Sequence, residues 1–107
     1  MNLINQHRRI ISSLCKKYKV NELYVFGSLA TGSENKQSDI DFLVKFGDVE
    51  LYNYFDNYMD FKESLEKLFK RNVDLLEIQT LKNPILKRSI DRNKIKIYGR
   101  TDSKMAV

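Results

Sequence analysis

Asp39 and Asp41 straddle Ile40 in the run "SDIDFLVKF", whose apolar residues mark a strand. Successive strand side chains point to opposite faces, so both carboxylates share one face. Held about 6 to 7 Å apart at Cα, two anions repel one another unless something cationic sits between them. Upstream, Gly27 and Ser28 end the apolar run "ELYVFGS" and open a helical turn. There, backbone N–H groups and a hydroxyl suit an anion, phosphate above all. Gly27 allows a ligand close to the backbone, while Ser28 can cap the turn and donate to a phosphate oxygen. Ten residues separate Ser28 from Asp39, and two strands joined by a short helical turn would set the phosphate cradle beside the carboxylate pair. Hard oxygen donors in that arrangement suit Mg²⁺, which takes one or two protein carboxylates and fills its shell with substrate phosphates and water. The expected counter-charge is Mg²⁺ carrying a nucleoside triphosphate.

These residues need elements to position them. From Asn2 to Tyr18, Leu3, Ile4, His7, Ile10, Ile11, Leu14 and Cys15 recur at helical spacing, which predicts an N-terminal helix over residues 2–19. His7 falls on its inner stripe and is read as a packing residue, because no second histidine exists to share a metal. The strand ending at Gly27 comes next, then a helical turn with a polar loop, then the Asp39–Asp41 strand. That strand sets Asp39, Asp41 and Leu43 on one face and Ile40, Phe42 and Val44 on the other. In "LYNYFDNYMDFKESLEKLFKR" the residues Leu51, Tyr54, Phe55, Tyr58, Phe61, Leu65 and Leu68 trace one helical stripe, widened by Tyr52 and Met59. It reads as a face packed on the sheet, with a partner surface as the second reading. "NVDLLEI" predicts a third strand, "NPILKRSI" a short helix starting at Pro84, and "NKIKIY" a last strand. Residues 101–107 read as a flexible tail. The alternation implies an α/β fold, a small β-sheet with helices packed against it.

Composition narrows the function classes. The chain has 107 residues, 42% of them hydrophobic and 31% charged, the profile of an ordinary globular protein. Its single cysteine, Cys15, cannot form an internal disulfide, and neither a secretory signal nor a membrane-length apolar run is present. The expected location is the cytoplasm. Net charge is +5, but residues 34–60 carry seven acids against two bases and the remainder is +10. A basic body around an acidic centre suits metal ions and polyphosphate.

The run "GSLATGSENKQSDIDFLV" resembles the signature of the DNA-polymerase-beta-like nucleotidyltransferase superfamily, Gly-Ser followed about ten residues on by Asp-x-Asp. The resemblance spans about residues 22–100, and the short chain is similar to the minimal nucleotidyltransferases, often encoded beside a helical HEPN ribonuclease toxin as its antitoxin. It implies a small mixed β-sheet and one minimal nucleotidyltransferase domain over residues 1–100, with the catalytic core at 22–100. A third carboxylate on a later strand completes such a site. Asp74 is the match and Glu77 the fallback; strand parity puts Asp74 with Leu76 on one face and Glu77 with Val73 and Leu75 on the other. Carried over, Asp39 and Asp41 bind two Mg²⁺ ions, and Asp74 ligates the second and helps deprotonate the attacking hydroxyl. Gly27 and Ser28 contact the nucleotide, and Lys36 is placed as a triphosphate contact on its loop position alone.

No acceptor-binding or DNA-gripping domain accompanies this core, which favours an acceptor supplied by a partner protein. "GSLATGS" half-matches a Walker loop, but Ser33 stands where the lysine belongs, and that reading is rejected. The expected activity is transfer of AMP from ATP to a tyrosine hydroxyl of a HEPN toxin. The alternatives are a binding antitoxin with an idle site and a nucleotidyltransferase acting on a small molecule or RNA.

Overall fold

The computed structural model describes residues 2–32 and 39–99. The N-terminal periodicity resolves into two helices, α1 (Asn2–Gln6) and α2 (Arg8–Lys17). They part at His7, whose φ of −115° and ψ of 15° leave the helical region while its ring meets Phe69 edge-on at 5.3 Å. Lys19, at φ 60°, turns the chain into β1 (Val20–Phe26). There follow α3 (Gly27–Thr31), β2 (Ile40–Phe46), α4 (Leu51–Phe69) and β3 (Val73–Glu77). A 3₁₀ turn (Ile78–Thr80) leads to α5 (Pro84–Asn93) and β4 (Ile95–Tyr98). Pro84 supplies a preset φ at the start of α5, and Asn83 caps it by accepting from Ile85 N at 2.9 Å and Leu86 N at 3.3 Å.

The sheet order is β3-β2-β1-β4. β1 runs antiparallel to both β2 and β4, whereas β2 and β3 are parallel, joined by the α4 crossover. The sheet is therefore mixed, as the resemblance implies.

One face of the sheet carries the core. Leu23 and Val25 of β1, Ile40, Phe42, Val44 and Phe46 of β2, and Val73 and Leu75 of β3 are buried there. They pack on Ile4 of α1, Ile11 and Cys15 of α2, and Phe61, Leu65 and Phe69 of α4. Phe42 lies 5.9 Å from Phe69, and Phe46 the same distance from Phe61, ring centre to ring centre. Burial pushes the Cys15 thiol up to about 12, so Cys15 is an inert packing residue. The stripe on α4 divides. Its C-terminal half is in the core, while Leu51, Tyr52 and Phe55 at its start are exposed. No helix among the described residues is long and apolar enough to cross a membrane.

Candidate active site

The opposite face of the sheet carries the carboxylates. Asp39 lies one residue before β2 and Asp41 at its second position, so both sit on the side away from Ile40 and Phe42. Because β3 runs parallel to β2, Asp41 and Asp74 are register partners on adjacent strands, about 5 Å apart at Cα. Asp39, Asp41 and Asp74 thus share one face at the same end of the sheet. Asp39 and Asp74 are exposed and Asp41 is partly buried.

Asp41 feels this crowding. Burial first, then the charges of Asp74 and Asp39, push its carboxyl above the usual carboxylate range. The ion pairs found among the described residues, Lys87 and Lys94 with Asp91, do not involve any of the three. Nor do three or more His, Cys, Asp or Glu among those residues already stand in metal-holding geometry.

Gly27 closes the site from β1. Phe26 is the register partner of Asp41, so the chain enters α3 directly beside that carboxylate. Gly27 has φ +71°, and a Cβ there would collide with Asp41 Oδ2 and lie 3.0 Å from its Cγ. The residue must therefore be glycine on two grounds, the left-handed backbone and the space Asp41 occupies. Among the described residues the group that comes close to Gly27 is the Asp41 carboxylate. Ser28 follows in the first turn of α3, but its side chain lies outside the described residues, as do Lys36 and the segment 101–107.

Glu77 separates from Asp74 as strand alternation requires. It is the register partner of Val44 on the core side of the sheet, where burial raises its carboxyl and Oε2 has no hydrogen-bond partner among the described residues. Tyr58 was not foreseen as a neighbour of the site. Its hydroxyl donates to Leu75 O at 2.6 Å, and burial, then the Asp74 charge, raises it above the ordinary phenol value. Only the crossover of α4 onto β3 brings it there, so no local pattern could have signalled it.

Comparison with known proteins agrees with this arrangement. Residues 7–97 match the nucleotidyltransferase domain family. A candidate protein adenylyltransferase of Methanocaldococcus jannaschii is 37% identical over 93 residues, 87% of this chain and 89% of that one. The protein adenylyltransferase MntA of Thermococcus cleftensis is 31% identical over 86 residues, 80% of this chain and 81% of that one. The fold is shared with a chain in the solved complex of a tri-AMPylated Shewanella oneidensis HEPN toxin with an MNT antitoxin. There the TM-score is 0.64 at 17% identity, covering 96% of this chain and 78% of that one. With the Gly-Ser turn and the Asp-x-Asp strand inside the matched span, the chain belongs to the nucleotidyltransferase domain family.

Proposed function

We propose that this chain is a cytoplasmic antitoxin that transfers AMP from ATP to a tyrosine hydroxyl of a HEPN-type toxin in an Mg²⁺-dependent reaction, residues 1–100 acting as one minimal nucleotidyltransferase. The observation that carries the proposal is the pairing of Asp41 with Asp74 across β2 and β3, with Asp39 two residues away and Gly27 leaving room for the Asp41 carboxylate. Three carboxylates gathered on one face are costly to a protein that makes no use of them. Relatives named as protein adenylyltransferases, and the shared fold of an antitoxin solved with an AMPylated HEPN toxin, support the same reading.

The donor set fits the cation. All three side chains offer hard oxygens, the class Mg²⁺ prefers, and their mutual repulsion is what such a cation relieves. Asp39 and Asp41 would hold two Mg²⁺ ions, the second shared with Asp74. When bound, Mg²⁺ neutralises the triphosphate and stabilises the attacking and leaving oxygens of an in-line displacement. Asp74 takes the proton of the acceptor tyrosine. The phenolic oxygen then forms its bond to the α-phosphorus of ATP as the bond to pyrophosphate breaks. The backbone at Gly27, with Ser28 and Lys36, contacts the triphosphate. AMP on the toxin adds bulk and negative charge where RNA phosphates must bind, opposing its substrate.

Incubating a HEPN toxin with this protein, ATP and Mg²⁺ should raise the toxin's intact mass by whole AMP units, and EDTA should stop the increase. If toxicity is suppressed with no change in mass, neutralisation is by binding and the catalytic proposal fails.

A further inference from the structure

A second feature lies on the core side of the edge strand that carries Asp74. Between α4 and β3 is a cavity of about 360 Å³ whose walls include Tyr54, Phe55, Tyr58, Leu75, Glu77 and Thr80. Its acidic side chain is Glu77, whose Oε2 is cut off from solvent with no hydrogen-bond partner among the described residues, so Oε1 is the oxygen that keeps access. Two hydroxyls in the wall are committed elsewhere, Tyr58 to Leu75 O at 2.6 Å and Thr80 Oγ1 to Glu77 O at 2.9 Å. A buried acceptor without a donor is destabilising, more so when it is charged. Beside the cavity the first turn of α4 exposes Leu51 by 90% and Tyr52 by 94%, while Phe55 is 69% exposed. The arrangement is a carboxylate set among aromatic rings, with exposed Phe55 in the wall and exposed Leu51 one helical turn before it.

We propose that this cavity receives an arginine side chain of the partner protein, its guanidinium donating to Glu77 and stacking on the aromatic wall. Charge and shape choose the occupant. A carboxylate calls for a cation, ring faces attract one, and arginine's planar fork meets both at once. The exposed Leu51, Tyr52 and Phe55 then form the water-excluding rim that a buried charged contact needs. Asp74 and Glu77 face opposite sides of β3, and because β3 is an edge strand a partner anchored here can reach the carboxylates around that edge. This rests on the partner-protein reading above. Its test uses no AMP transfer, so the two can fail separately.

The test titrates blocked arginine amide into the ¹⁵N-labelled chain at constant ionic strength, with blocked citrulline amide as neutral isostere and blocked lysine amide as second cation. Arginine should give saturable shifts at Tyr54, Tyr58 and Glu77, with citrulline binding at least about tenfold more weakly. Glu77→Gln should weaken the arginine complex by a similar factor, and Phe55→Ala, an exposed position where the fold is not at stake, by about threefold. Shifts equal for arginine and citrulline, no saturable shift at all, or an unchanged response in Glu77→Gln would overturn the proposal. Tighter binding of lysine than arginine would overturn the choice of side chain. Self-association that vanishes in Glu77→Gln would hand the cavity to a second copy and overturn the partner assignment.

Discussion

Phe42 and Asp41 are adjacent on β2 yet belong to different regions of the molecule. Phe42 is fully buried against Phe69 on the helix-covered face. Asp41 sits on the other face, partly buried beside Asp74 with its carboxyl pushed above the ordinary range. One face stabilises the fold by removing apolar surface from water. The opposite face spends some of that stability holding like charges together. The contrast teaches where substitutions should cost stability and where they should cost activity.

The sharpest break of that contrast is on β2 itself. Phe42→Ala should destabilise the protein by about 3–5 kcal/mol, a large share of the stability of a domain of this size, measured by urea denaturation. Asp41→Asn, its neighbour, should leave the protein folded while AMP transfer falls by about 10² or more. Comparable losses of stability at both positions would show that the faces are not divided as described.

On β3 the same comparison is between Asp74 and Glu77. Asp74→Asn should lower turnover by about 10² with a smaller effect on ATP affinity. Glu77→Gln should leave turnover nearly unchanged and alter only the affinity for the partner. A turnover loss confined to Glu77→Gln would reverse the assignment.

Gly27→Ala tests the boundary between the faces. The left-handed backbone alone costs about 1–2 kcal/mol, and Asp41 must also move aside. The denaturation midpoint should fall and activity should fall with it. Unchanged stability would mean that Asp41 is not held against Gly27.

The smallest effect is of opposite sign. Asp41 has a raised carboxyl in the fold, so its protonated form favours folding below the unfolded value of about 4, and that contribution is lost as pH rises through the raised value. Without Mg²⁺, Asp41→Asn should be more stable than the parent at neutral pH, read as a higher Tm. The gap should widen as pH climbs above about 4 and level off once Asp41 is ionised. Added Mg²⁺ should raise the melting temperature of the parent protein more than that of the variant. A variant less stable than its parent at neutral pH would contradict the repulsion argument.

Local sequence determined a good deal. Period-two alternation sets Asp39 and Asp41 on one side at the start of β2 and parts Asp74 from Glu77 on β3, because strand geometry needs no knowledge of neighbours. Helical periodicity placed α4 and its inner residues Phe61 and Leu65, since spacing alone defines a stripe. The tertiary structure decided the rest. The break at His7 depends on its ring meeting Phe69, 62 positions away. That Leu51, Tyr52 and Phe55 stay outside, though they begin an apolar stripe, is seen only in the folded chain. Parallel pairing of β2 with β3 is what sets Asp74 beside Asp41, and the Asp41 carboxylate is what fills the space at Gly27. No residue type or spacing states these contacts, because each arises from strands that meet only once the long α4 crossover has closed.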